Sequence, residues 1–405
     1  ILKTLDLKTI EPSIFFENPE ELKALYDTKQ KGKSGEFKKL NVCLLILESF
    51  SKEYIGAING RTDTYTPFLD SLITQSLTFN NAYSNGKKSI EGIPAITSSI
   101  PSWMTEAYIS SPYGSNTINS LASLLNEQGY NSSFFHGGTN GTMGFNAFAS
   151  LSGYQKYYGR KEYNNEKDYD GNWGIWDEEF LQYTANTINV MPTPFFTTIF
   201  TLTSHHPFAI PDKYKSRFPE GHLPIHKSIR YSDYALKRFF ESAKKMPWFN
   251  NTLFVLCADH TGISTDFFYS TQMGNHCIPI IYYMPGSNLQ GINPQTTQQL
   301  DIMPSILDYM NYPKDYFAFG KSVFDSTDIS CLTFNSSFFQ LMDSTYVLQF
   351  DGTNSINLYN FKKDSLFHHN LINVEPKVLE KMEKQTKAMI QTYQQSLINN
   401  TMIIK

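Results

Sequence analysis

Leu44-Leu45-Ile46-Leu47-Glu48-Ser49-Phe50 is the stretch on which the fold turns. It belongs to an unbroken apolar run, Val42–Leu47, that ends abruptly in a carboxylate. A strand with one wet face alternates apolar and polar residues. A continuous run is instead covered on both faces, as in a parallel sheet flanked by helices. The same design recurs in Phe254-Val255-Leu256-Cys257-Ala258-Asp259-His260-Thr261. Working outward, Asn131–Phe135, Pro194–Leu202, Thr252–Cys257 and Ile278–Tyr283 read as strands. Helical patterns lie between them. One opens at Thr66-Pro67, with Thr66 as cap and Pro67 in the first turn. Another is Asn119–Gln128, closed by Gly129, and a third is Ile229–Lys244, with Tyr231, Ala235 and Phe239 at helical spacing. This alternation predicts an α/β fold, a mostly parallel central sheet with helices on both faces.

In such a sheet the loops after the strand carboxyl ends converge on one crevice. Five strands are followed by chemically capable residues or a turn: Glu48, His136, His205, Asp259, and Pro285-Gly286. A carboxylate beside an apolar run needs a partner, because unpaired buried charge is costly. Glu48 with Asp259 and His260 supplies the donor set of a zinc or manganese site. Gly86-Lys87-Lys88-Ser89-Ile90-Glu91 adds a hydroxyl, Ser89, beside two lysines. Taken singly, a Ser at a helix start is an N-cap. Near a metal it is also a ligand and a nucleophile, at a helix end that welcomes phosphate oxygens. His136 and His205 are expected to meet a substrate phosphate or leaving group. His206 is less suited, being constrained by Pro207. Trp173, in Trp173-Gly174-Ile175-Trp176-Asp177, could bound a substrate pocket or simply pack as a loop.

The bulk numbers agree with an enzyme of this kind. Hydrophobic residues make up 40% of 405, enough for a large core, and 34 basic against 38 acidic residues give a charge of −4. That balance, without a long basic run, gives no sign of a nucleic-acid footprint, and no nucleic-acid partner is expected. Cys43, Cys257, Cys277 and Cys331 match no zinc or redox spacing, and a Cys277–Cys331 bridge is conceivable. No apolar stretch reaches the ~20 residues that span a bilayer. Residue 1 is Ile, so a preceding membrane segment is expected. Residues 1–39, with Lys31-Gly32-Lys33-Ser34-Gly35, read as an arm or linker, and 40–325 as the catalytic body. Residues 326–405 are expected to hold a small antiparallel sheet, Phe339–Met342, Thr345–Phe350 and Ile356–Asn360, followed by a helix over Val378–Asn400.

Over roughly residues 40–325 the chain resembles the membrane-anchored phosphoglycerol and phosphoethanolamine transferases. These include the lipoteichoic acid synthases, within the sulfatase and alkaline phosphatase superfamily. The resemblance is carried by Glu48-Ser49, Ser89, His136-Gly137, Trp173-Gly174 with Asp177, Ser204-His205-His206-Pro207-Phe208 and Ala258-Asp259-His260. It implies one divalent ion, manganese or zinc, held by Glu48, Ser89, Asp259 and His260, with Ser89 as nucleophile where the family has Thr. It implies substrate contacts from His136 and His205, joined by Lys87 and Trp173. The implied partners are a phospholipid donor, a glycan or lipid acceptor and a membrane reached through a preceding segment. The implied location of the catalytic body is extracytoplasmic. Two departures stand out. Thr142-Met143-Gly144-Phe145-Asn146 lacks the Arg of the Trp-Asn-Arg segment that follows the first histidine in lipoteichoic acid synthases. Ser99-Ile100-Pro101-Ser102-Trp103 lacks the Arg of the sulfatase C/S-x-P-x-R motif, which disfavours sulfate-ester hydrolysis. The alternatives are a phosphodiesterase, phosphatase or sulfatase-type hydrolase of the same superfamily, and a non-catalytic envelope protein.

Overall fold

The structure is a computed structural model that describes residues 9–62, 64–325 and 329–404. Its strands are β1 (Lys29–Gln30), β2 (Asn41–Leu47), β3 (Leu77–Tyr83), β4 (Asn131–His136), β5 (Lys156–Tyr158), β6 (Phe195–Phe200) and β7 (Thr252–Ala258). There follow β8 (Ile280–Tyr283), β9 (Gly291–Gln298), β10 (Tyr316–Phe317), β11 (Cys331–Phe334), β12 (Phe339–Met342), β13 (Tyr346–Phe350) and β14 (Ser355–Asn360). The helices are α1 (Pro19–Leu25), α2 (Gly56–Asn59), α3 (Pro67–Ile73), α4 (Ser89–Ser98), α5 (Leu121–Asn126) and α6 (Phe145–Leu151). They continue with α7 (Arg160–Tyr163), α8 (Asp177–Asn189), α9 (Ile225–Ala243), α10 (Ile302–Tyr309) and α11 (Pro376–Ile398).

Eight strands form the central sheet in the order β5-β4-β6-β2-β7-β8-β3-β9. Every residue of β2, β6 and β7 is buried, as in strands covered on both faces; in β6 this includes Thr197 and Thr198. Helices α3, α8 and α9 pack together, and so do α4, α5 and α10. The pairs β4–β5, β4–β6, β2–β6, β2–β7 and β3–β9 are parallel. Strand β8 is the exception, antiparallel to both β7 and β3. This corrects one expectation. Tyr283 at the end of β8 sits opposite Phe254, near the start of β7, so Pro285-Gly286 leaves the sheet at the edge away from Asp259.

Thr66 takes the N-cap position of α3 but makes no side-chain cap bond there. The acceptor comes instead from α9: Asp233 receives the N–H groups of Phe68 and Leu69, each at 2.9 Å. A charged acceptor from a neighbouring helix satisfies two otherwise unpaired amides and ties α3 to α9.

The C-terminal sheet has four strands, β11-β12-β13-β14, all antiparallel. Helix α11 packs on it. The expected boundary near residue 326 lies outside the described residues. The described part of the segment read as an arm or linker is anchored to the body near its end. β1 pairs with β10, and Lys33 reaches Asp308 at 3.0 Å and Asp325 at 2.9 Å. All four cysteines are free and buried, so no Cys277–Cys331 bridge forms. No helix among the described residues is long and apolar enough to cross a membrane.

Candidate metal centre and active site

Register across the sheet decides which side chains share the crevice. His136, Phe200, Ile46 and Cys257 lie in one row over β4, β6, β2 and β7. The residues just beyond that row emerge together. They are Glu48 after β2, Asp259-His260 after β7 and the Thr201–His206 segment after β6. Neighbouring strands lie about 4.8 Å apart, so His136 stands roughly 10 Å from the β2 position that launches Glu48.

Glu48 and Asp259 are essentially excluded from solvent, at 1% and 0% exposure. Ligand atoms of Glu48, Asp259 and His260 all fall within 4.8 Å of one another. His260 Nε2 lies 3.3 Å from Asp259 Oδ2 and 3.7 Å from Glu48 Oε1. Its Nδ1 lies 2.8 Å from the carbonyl oxygen of Thr261. A carbonyl only accepts, so the proton sits on Nδ1 and the Nε2 lone pair faces the carboxylates, the arrangement of a ligating histidine. Asp259 Oδ2 is buried without a hydrogen-bond partner. Burial, and then the neighbouring Asp259 charge, push the Glu48 carboxyl up to about 8. Burial opposes the charge on His260, but Asp259 and Glu48 outweigh it and raise its pKa. Two crowded carboxylates, an orphaned oxygen and a directed imidazole fit a divalent cation, which would neutralise them.

Ser89 is the first residue of α4, with Lys88 at the cap position. Its Oγ is not used as a cap. It donates to Glu48 Oε2 at 3.3 Å, which joins Ser89 to the cluster. The helix start is instead satisfied by Glu91, whose Oε2 accepts the N–H groups of Lys87 and Lys88 at 2.7 and 3.2 Å. Gly92 permits the approach of α4, since a Cβ there would lie 2.5 Å from the carbonyl oxygen of Asp259.

The other expected residues form a second group. His136 is buried, with Nδ1 3.0 Å from the Tyr157 hydroxyl and its ring stacked on Phe200. Burial depresses its pKa to about 3, so it is neutral and acts as a hydrogen-bonding group rather than a proton donor. Trp173 and His205 lie against each other, ring centroids 4.0 Å apart. Both bond the carbonyl oxygen of His206, from Trp173 Nε1 at 2.7 Å and His205 Nδ1 at 2.9 Å. The two groups of this set are joined where Ile175 N–H meets Gly137 O at 3.1 Å. Lys87 is exposed beside the Ser89 loop. Desolvation lowers its pKa against the raising effect of Glu91.

Several supporting residues were given no role from the sequence, although Ser49 and Asp177 belong to motifs quoted there. Ser49 donates its N–H to Asp259 Oδ1 at 2.9 Å and its Oγ to Glu48 Oε1 at 2.6 Å. Gln299 Nε2 holds the carbonyls of Ala258 and Asp259 at 2.8 and 2.7 Å. Asp177 accepts the N–H groups of Leu202 and Thr203 at 2.8 and 3.1 Å, which fixes the loop that carries His205. His276 is buried behind the Ser89 loop, its Nδ1 3.1 Å from Ser84 Oγ. Apart from Ser49, which adjoins Glu48, their positions depend on tertiary contacts that no local spacing reports. Arg160 reaches the turn after His136 but is engaged by Glu166 and stacked on Tyr169, 3.4 Å from its ring centroid.

Residues 40–312 match the sulfatase family profile. The chain belongs to the sulfatase family. It is 27% identical over 388 residues to the lipoteichoic acid synthase of Staphylococcus aureus strain USA300, covering 87% of this chain and 56% of that protein. The chain thus spans about half the length of the curated relatives it matches. Among solved structures, a protein in the alkaline phosphatase superfamily from Vibrio parahaemolyticus superposes with a TM-score of 0.83 at 22% identity, over 95% of this chain and 96% of that one. The lipoteichoic acid synthase LtaP from Listeria monocytogenes superposes at 0.78 with 19% identity, over 95% and 99%. This sulfatase-family chain therefore has the alkaline phosphatase superfamily fold and is lipoteichoic acid synthase-like. The shared fold spans several chemistries, since the phosphonate monoester hydrolase of Agrobacterium radiobacter also superposes, at 0.64 with 13% identity over 87% of this chain and 96% of that one.

Proposed function

We propose that this chain is the catalytic portion of a membrane-anchored, extracytoplasmic transferase. It would move a phosphoglycerol or phosphoethanolamine unit from a phospholipid to a glycan or lipid hydroxyl. The observation that carries this reading is Ser89 Oγ, presented by a helix start and 3.3 Å from Glu48 Oε2 in the Asp259–His260 cluster. Likeness to lipoteichoic acid synthases supports the transferase over its hydrolase relatives.

Glu48, Asp259, His260 and Ser89 would hold a manganese or zinc ion, which draws charge from the phosphoryl group and lowers the pKa of the hydroxyl. Ser89 Oγ loses its proton to solvent and attacks phosphorus, the bond to the diacylglycerol oxygen breaks, that oxygen takes up a proton from solvent, and a phosphodiester forms on Ser89. The positive end of α4 and the Lys87 charge attract the phosphoryl oxygens, while Glu91 keeps the Lys87 and Lys88 amides. His136 stays neutral. With Tyr157 donating to Nδ1, its Nε2–H is free to donate to a phosphoryl oxygen. His205 has the opposite polarity. Its Nδ1 proton is committed to the His206 carbonyl, which leaves Nε2 to accept the proton of the incoming hydroxyl. Trp173, packed on His205, walls this side. Splitting the transfer into two displacements spares the crevice from holding donor and acceptor together.

The test is turnover of a fluorescent phosphatidylglycerol or phosphatidylethanolamine with manganese, with and without an added acceptor alcohol. Transferase action gives diacylglycerol together with a phosphorylated alcohol. Diacylglycerol with only a free head-group phosphate, whatever the alcohol, would establish the hydrolase instead.

A further inference from the structure

A cavity of about 380 Å³ opens where α3, α9 and the 217–219 loop meet, and no residue of the catalytic cluster lines it. Its apolar wall includes Phe68, Phe218 and Tyr234. Its charged groups are Arg217, Arg230, Lys237 and Asp233. Three of these lie on α9 at spacings of three and four residues, hence on one face of that helix.

Asp233, the only carboxylate among the described residues that line the cavity, is already occupied. Both Asp233 oxygens accept the α3 amides of Phe68 and Leu69. Lys237 lies 3.9 Å from Glu241. The arginines stand apart from the rest of the chain. Arg61, Arg160 and Arg238 each pair with a carboxylate, Asp266, Glu166 and Glu241. Among the described residues the remaining two, Arg217 and Arg230, pair with none. Both line this cavity. Arg217 lies 4.0 Å over the Tyr234 ring, a contact that fixes the guanidinium plane and leaves its edge donors unused. Arg230 lies 4.7 Å over Tyr65 and gives one bond to Thr64 O, while its Nε is buried without a partner. A buried donor left unmatched is costly, and guanidinium forks match phosphate oxygens in pairs.

We propose that this cavity is a second binding site, for an amphiphile with a phosphate head and an apolar body. The head takes the free edges of Arg217 and Arg230, with Lys237 adding charge. The body lies along Phe68 and Phe218. The assignment stands whether or not the catalytic cluster performs phosphoryl transfer.

Dihexanoyl phosphatidic acid, titrated below its micelle concentration into the full chain bearing Asp259→Asn in chelator, tests it by calorimetry. The catalytic cluster is then disabled, so saturable binding reports another site. The binding should weaken about tenfold in Arg217→Ala/Arg230→Ala, the scale of losing charge-assisted bonds. It should weaken similarly in Ser71→Phe, which fills the cavity from its rim. Arg217→Ala alone, at an exposed position, should cost several-fold without unfolding, which keeps the test decisive if the double variant misfolds. Dihexanoyl phosphatidylcholine and inorganic phosphate should each bind at least about tenfold more weakly than the phosphatidic acid. No saturable binding, indifference to the arginine and Ser71 changes, or equal binding of inorganic phosphate or of the choline lipid would each overturn the assignment.

Discussion

Ser49 holds a left-handed backbone at φ +57°, unusual for a residue with a side chain. The strain, on the order of 1 kcal/mol, is offset by bonds to both buried carboxylates, one from its N–H and one from its hydroxyl. Ser89 differs in kind, because its hydroxyl supports no fold contact beyond Glu48. Ser89→Ala should therefore keep the thermal midpoint within a few degrees and abolish turnover, whereas Ser89→Thr, which keeps the hydroxyl, should stay active. Near-parental turnover by Ser89→Ala would make an attacking water the better account. Asp259→Asn removes a charge whose Oδ2 accepts no hydrogen bond among the described residues and lies 3.3 Å from His260 Nε2. It should weaken manganese or zinc binding by at least about tenfold, read by calorimetry, while circular dichroism stays unchanged. Unaltered affinity would place the ion elsewhere. Glu48, Asp259 and His260 were legible in the sequence because each follows an apolar run at a strand end. Ser49 was quoted there but its double bond was not, since that depends on the approach of two loops distant in sequence.

Helix α4 reaches the site only because Gly92 lets it lie on the Asp259 backbone. Gly92→Ala would set a Cβ 2.5 Å from that carbonyl oxygen. An overpacked contact of this kind costs about 1–3 kcal/mol, and the displaced Ser89 should lose activity well beyond what the stability loss explains. A urea midpoint and a rate measured on the same sample separate the two effects. Asp233 makes an analogous bridge from α9 to α3. Asp233→Ala should cost about 1–2 kcal/mol as an uncapped helix start, with Asp233→Asn losing less; equal stability of all three would show the cap to be idle. The element scale also shows where sequence reading stopped. Strands β2 and β7 declared themselves as apolar runs, and β4 and β6 were read as strands although Ser132-Ser133 and Thr197-Thr198 interrupt them. Edge strand β9, Gly291-Ile292-Asn293-Pro294-Gln295-Thr296-Thr297-Gln298, is polar and carries a proline, so it offers no periodic signal. β3 and α8 also went unrecognised. β8 was recognised as a strand but not as antiparallel, because a short apolar run carries no direction.

Across the whole molecule, buried titratable groups oppose one another. Burial lifts Asp301 to about 7. An unfolded Asp titrates near 3.9, so the stability this proton confers is full below about 3.9 and is lost as pH rises through about 7. Burial depresses His276 to about 3, with Lys87 adding to the effect. Its contribution is full above the unfolded value near 6.5 and is lost as pH falls toward about 3. Asp301→Asn should remove a loss of stability that sets in as pH rises from about 4 to about 7, and His276→Asn a loss that sets in as pH falls from about 6.5 to about 3, each by up to about 1.4 kcal/mol per pH unit in denaturant titrations across that window. Unchanged slopes would show that neither group titrates as its burial implies. The α/β class and the separate antiparallel C-terminal sheet were legible from patterning. The way the polar segment 9–39 docks was not, because its anchors, such as Lys33 with Asp308 and β1 with β10, pair residues hundreds of positions apart. The central claim is that Ser89 accepts the phosphoryl group. Peptide mass spectrometry after incubation with manganese and phosphatidylglycerol or phosphatidylethanolamine, acceptor withheld, tests it most directly. A head-group phosphate on the peptide containing Ser89, absent from Ser89→Ala and discharged when an acceptor alcohol is added, is the result predicted. Continued diacylglycerol release with Ser89 unmodified at every time sampled would contradict it.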